Sequence, residues 1–205
     1  MTSDAFIFTI LFLTLGPIKM IPTFANLTKE MTLAQKRGLA IRGMLMALAI
    51  CLYVSLLGRG IVRSYQISLD ALGLATGFIL LVSALRAIFP PTQPPDRKRD
   101  QPSLWQLAIS PVASPIVVTP VGIAAILIFV MQAPGVPGMQ WSIAKALLIL
   151  LGLDFLVMFF IDRITRVPGL MMALQVLGTV LVVVQVALSF ETFLVALKSL
   201  GVIHH

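Results

Sequence analysis

Lys19 and Asp154 are the ionisable residues set deepest in apolar sequence. A lysine at bilayer depth is costly and normally faces a bundle interior with a partner. Lys19 stands between Pro17 and Pro22, about fifteen residues in from the outer end of its segment, and Asp154 lies about thirteen residues in from the outer end of its own. At about 1.5 Å per residue their depths agree within a few Å, so an intramembrane charge pair is expected. Such a pair can hold a solute or a coupling ion. Two plainer readings stand beside it: a lysine that snorkels along a short half-helix to the surface, and a pair that is purely structural.

Around these residues the chain breaks twice. The first break is Gly16-Pro17-Ile18-Lys19-Met20-Ile21-Pro22, and the second is Ser110-Pro111-Val112-Ala113-Ser114-Pro115 followed by Thr119-Pro120-Val121-Gly122. Proline removes a backbone donor and clashes with the preceding turn, so neither segment is expected to be one straight helix. Freed backbone groups are tolerated at membrane depth only where protein or a wet cavity receives them. Paired interruptions in corresponding halves are the sequence pointer to a transport site. Half-helix starts favour anions, a carboxylate among them. The expected substrate-binding residues are therefore Gly16, Pro17, Lys19, Ser114, Thr119, Pro120 and Gly122. The plain alternative is a set of kinks satisfied by neighbouring helices.

The elements that must position these residues are membrane helices. The chain is 59% hydrophobic and 11% charged, against about a quarter charged in a soluble domain. Six apolar segments reach spanning length, roughly 5–27, 38–58, 70–89, 105–132, 141–161 and 169–190. The N-terminus lacks the basic region and cleavage site of a signal peptide, so the first segment reads as a span. Thr32 with Gln35 and Ser103 with Gln106 fit capping boxes, and Asp4 and Ser68 read as N-caps. The single cysteine, Cys51, excludes a disulfide framework. His204 and His205 are set aside as tag-like.

Basic residues set the expected orientation. Lys29, Lys36, Arg37, Arg42, Arg86, Arg97, Lys98, Arg99, Arg163 and Arg166 fall on one side, and Arg59, Arg63, Lys145 and Lys198 on the other. The first side is then cytoplasmic and both termini face outward. The basic excess thus reads as topology rather than nucleic-acid binding. The proline-rich stretch 91–104 divides a first half, 1–90, from a second, 105–205, within one transmembrane domain. Pro17 and Pro120 are offset by 103, and the run from Gly77 resembles the run from Gly178 at an offset of 101. The fold class is an all-α membrane protein: six helices in two inverted three-helix repeats, with helices 1 and 4 discontinuous. Gly73 and Gly77 form a small-residue face for close helix packing within the chain, with Gly178 as its counterpart. Trp105 and Trp141 read as interface anchors on opposite faces.

These residues also carry a resemblance. The chain resembles the MarC family of bacterial and archaeal inner-membrane proteins over nearly its whole length. The resemblance rests on Gly16-Pro17 with Pro22, on Gly73 and Gly77 followed by Arg86-Ala87-Ile88-Phe89-Pro90, and on Pro111-Val112-Ala113-Ser114-Pro115 followed by Thr119-Pro120-Val121. Gly16 replaces the family's usual polar residue, Lys19 and Met20 replace its Gly/Asn positions, and Thr119 and Val121 replace flanking glycines. The resemblance implies a six-span, transporter-like protein of the inner membrane. Some relatives are linked to small neutral amino acids.

No interior histidine, His-Glu-x-x-His motif or phosphate-binding loop is present, so no enzyme, no cofactor and no metal site is expected. The leading expectation is a secondary transporter, export included, for a small polar solute such as a neutral amino acid. It would work by alternating access at a midplane site, with H⁺ or Na⁺ as a coupling ion and an oligomer left open. The alternatives are a passive channel and a non-transporting partner subunit.

Overall fold

The computed structural model describes residues 4–89 and 103–202, and every regular element among them is helical. Apart from Ser103 and Leu104, the expected linker 91–104 lies outside the described residues, as do His204 and His205. Helix α1 (Asp4–Leu15) is followed after Gly16 by α2 (Pro17–Leu27). Helices α3 (Leu33–Ser64) and α4 (Leu69–Ile88) complete the first half. The second half opens with the single turn α5 (Leu104–Leu107), which runs into Ala108–Val117, a segment broken by extended backbone at Ser110 and Ser114. Then come α6 (Pro120–Gln132), α7 (Met139–Phe159), α8 (Ile161–Thr165) and α9 (Leu170–Ser199).

Local chemistry fixes the starts of these helices. Thr32 and Ser103 each accept the amide of the residue three positions on, while Gln35 and Gln106 bond back to the cap amide, so both boxes close as expected. Ser68 caps α4 through the Ala71 amide at 3.1 Å. Asp4 departs from its expected role. It lies within α1, and its carboxylate instead accepts from Ser142 at 2.5 Å and Lys145 at 2.9 Å. Gly138 and Gly169 precede α7 and α9 with φ of 79° and 78°, a left-handed backbone that glycine takes without steric cost.

Four helices, α3, α4, α7 and α9, are long and apolar enough to span a membrane; α1 and α2 taken together (Asp4–Leu27) make a fifth span, and the bent pair 104–117 with 120–135 a sixth if counted as one. The bent pair runs alongside α3. Trp105 lies 5.1 Å from the Arg42 guanidinium, a Cβ on Gly43 would meet Val112, and one on Gly58 would meet Leu127. From Arg42 to Gly58 is about 24 Å along the helix axis. Two ion pairs mark the ends of the bundle. Asp4 with Lys145 joins the starts of α1 and α7 at one end, and Lys36 with Asp162, at 2.6 Å, joins α3 to α8 at the other.

Helices α3 and α9 overrun their expected ends, 58 and 190, by six and nine residues. Arg59, Arg63 and Glu191 end the apolar runs, but main-chain hydrogen bonding continues past them.

Buried Ile7, Leu11, Phe24, Leu39, Val112, Val117, Ile126, Leu150 and Met158 fill the centre. Leu52, Leu56, Phe78, Val180 and Val183 point outward, as lipid-facing positions should. Helices α4 and α9 pack antiparallel through the small-residue face. A Cβ on Gly77 would lie 3.0 Å from the Ser189 carbonyl, and one on Gly73 would lie 3.4 Å from Ala196. The expectation for Gly178 is corrected: a Cβ there meets nothing within 4 Å, although the residue shares the face of Gln185, Ser189 and Ala196.

Candidate functional site

The two interruptions have the same backbone design. Gly16 (φ −70°, ψ 161°) and Thr119 (φ −76°, ψ 153°) are extended, and each is followed by proline as the first residue of a new helix. Proline suits that position, because its missing N–H would have no partner there. At Gly16 the amide still bonds the Phe12 carbonyl at 2.8 Å, and a Cβ would lie only 2.2 Å from that oxygen. At the second break the chain turns by 63°.

Thr119 joins the interruptions. Its hydroxyl donates to the Thr14 carbonyl at 2.8 Å and accepts the Gly122 amide at 2.9 Å. Helix α1 ends at Leu15, so the Thr14 carbonyl is one of the last-turn groups left without a helical partner, and Thr119 supplies that partner from the other half. Contact here is close: a Cβ on Gly122 would meet the Leu15 side chain at 2.1 Å. Helix α2 starts without a side-chain cap.

Beside this junction lies a cavity of about 540 Å³, enclosed by α1, α4, α6 and α9. Thr14, Thr76, Leu80 and Val121 line its inner end, and Asp70, Gln132, Glu191 and Ser199 lie toward the bundle end that holds Asp4. Apolar side chains with a few hydroxyls are the usual lining of a small-molecule site. Toward the opposite end, Val117, Val118, Met20 and Phe24 are buried.

The description of MarC family integral membrane proteins matches this chain over residues 3–197. The chain belongs to the MarC family. It is 26% identical to the UPF0056 membrane protein MJ1677 of Methanocaldococcus jannaschii, over 87% of this chain and 90% of that one. It is 24% identical to the UPF0056 inner membrane protein YhgN of Escherichia coli (strain K12), over 78% and 79%. No solved structure matches it. The chain is thus a multi-pass protein of the cytoplasmic (inner) membrane, in contact with the lipid bilayer.

In this MarC family member, Gly16, Pro17, Thr119, Pro120 and Gly122 converge at the junction, and their neighbours Thr14 and Val121, rather than these residues, line the cavity. Ser114 is not among them. It lies in the kinked segment Ala108–Val117 with extended backbone (φ −143°, ψ 127°), toward the other end of the bundle.

The expected Lys19–Asp154 pair is corrected. The Lys19 ammonium donates to the side-chain carbonyl of Gln185 on α9, and the Gln185 amide in turn donates to the Leu80 carbonyl on α4 at 3.1 Å. Asp154 is fully buried on α7, and neither of its oxygens has a hydrogen-bond partner. Lys19 turns toward α9 and α4 instead.

Gln185 was not singled out by sequence reasoning, although a lone amide amid Val182-Val183-Val184 and Val186 is a visible signal. Thr14 gave no signal, because its role is played by its main-chain carbonyl.

Proposed function

We propose that this protein is a secondary transporter of a small polar solute, with a neutral amino acid as the preferred class, and not an enzyme. The observation that carries the reading is the Thr119–Thr14 bond at the inner end of a one-sided cavity. Two half-helix starts meet there, so main-chain groups can exchange partners as the helices move. A bound solute would replace those partners. Its carboxylate suits the uncapped positive end of α2, with the Lys19 charge one turn away. Its ammonium suits the acidic mouth, where Asp70 and Glu191 lie.

The matched caps at Gly16 and Thr119 support an inverted repeat, with interrupted spans 1 and 4 as its equivalent elements. The basic residues support a cytoplasmic face at the Lys36–Asp162 end, which leaves the cavity open to the outside. Alternating access would then close the mouth and part the buried Val117, Val118, Met20 and Phe24 layer.

Purified protein in liposomes, challenged with a panel of labelled amino acids, tests this. Saturable uptake with counterflow against trapped solute is expected. Voltage-driven current without exchange would mean a passive pore, and no saturable flux across the panel would overturn the transport reading.

A further inference from the structure

A second cavity, of about 410 Å³, lies on the other side of α6, between α3 and α7. Its polar lining residues Arg59 and Gln140 lie at the same end of the bundle as Asp70 and Gln132 of the first. The cavity passes Ser55 and reaches Cys51, Leu48 and Leu151. Leu147 and Leu151 lie along its wall, and Asp154 follows Leu151 by three residues on the same face of α7. The Ser55 hydroxyl and the two Asp154 oxygens are the buried side-chain polar atoms left without a partner among the described residues. Buried polar groups are normally paired, so these atoms call for a further ligand.

An unpaired carboxylate at this depth is costly while charged, and protonation removes that charge. Too few oxygens surround it to replace the hydration shell of a metal cation, whereas one carboxylate suffices for a proton. The neighbouring elements offer no competing counter-ion. On α1 the sole ionisable residue, Asp4, is paired with Lys145 at the far end. On α2, Lys19 is held by Gln185. Helix α6 has no ionisable residue. On α8, Asp162 is paired with Lys36, and Arg163 lies over Phe160. On α3, Cys51 and Arg59 line the cavity, and Arg37 and Arg42 lie over Phe159 and Trp105.

We propose that this second cavity is the path by which a proton reaches Asp154, separate from the solute's cavity, and that Asp154 carries the coupling proton. The coupling role rests on the transport reading; the site and its path do not. The step is a protonation: a carboxylate oxygen forms one O–H bond, and water in the cavity gives up the proton.

Carbodiimide attacks protonated carboxyls, so labelling of the purified protein in nanodiscs across a pH series, read by peptide mass, tests the site. Asp154 should be labelled at low pH and lose the label as pH rises. Ser55→Leu, which fills the cavity, should reduce labelling of Asp154 and leave Asp70 and Glu191 labelled as before; Ala144→Leu on the same wall replaces it should that variant fail to fold. Label confined to Asp70, Glu191 and other exposed acids at every pH overturns the proposal, as does labelling of Asp154 that both fillers leave unchanged. In liposomes, Asp154→Asn should retain solute exchange and lose uphill accumulation under a pH gradient. Accumulation that persists in Asp154→Asn overturns the coupling role and leaves the transport reading intact.

Discussion

The Thr119 side chain closes a 2.8 Å hydrogen bond onto the main chain of Thr14, 105 residues away in sequence. This one hydroxyl both caps α6 and satisfies a carbonyl that the first break leaves over. Thr119→Val should therefore cost about 2 kcal/mol in denaturant unfolding of the purified protein, from a lost hydrogen bond and a lost cap together. Thr119→Ser should retain most of that stability. Solute flux should fall in the valine variant beyond what its lower stability explains.

Gly16 is demanded by space. A side chain there would press on the Phe12 carbonyl at 2.2 Å, and that carbonyl already accepts the Gly16 amide. Backbone cannot step aside as a flexible side chain can. Gly16→Ala should destabilise by more than about 3 kcal/mol. Gly38→Ala, where a Cβ meets nothing within 4 Å, should be neutral or stabilising by up to about 1 kcal/mol. Melting temperatures of the two variants give the comparison directly.

Lys19 is partnered by Gln185 rather than by Asp154. In a double-mutant cycle, Lys19→Met with Gln185→Leu should show a coupling energy of about 0.5–3 kcal/mol, while Lys19→Met with Asp154→Asn should add within about 0.5 kcal/mol. Equal coupling in the two cycles would return the charge pair to consideration.

The glycines of α4 and α9 should respond oppositely. Gly77→Val drives methyl groups against the Ser189 carbonyl and the Phe193 ring and should cost about 1–3 kcal/mol. Gly178→Ala enters open space and should gain up to about 1 kcal/mol from helix propensity. Thermal unfolding in detergent separates the two signs.

Much of this architecture is legible in the residues. Proline at 17 and 120 marks where each helix restarts, because the ring dictates it locally. Thr32 with Gln35 and Ser103 with Gln106 announce helix starts through contacts three residues long. Which side chain a buried group meets is not readable: it depends on how each helix is rotated against its neighbours, so Lys19 meets Gln185 while the Asp154 oxygens meet no polar partner. Gly178 misled because a repeated glycine does not say what packs opposite it. Mild hydrophobic patterning around the all-apolar helices leaves that rotation to packing alone.

Helix α6 turns Phe129 toward one hollow and its next neighbour, Val130, toward the other. It is a party wall between two chambers, capped at its inner end by the Thr119 hydroxyl. On the transport reading, a swing of that wall that narrowed one room would enlarge the other.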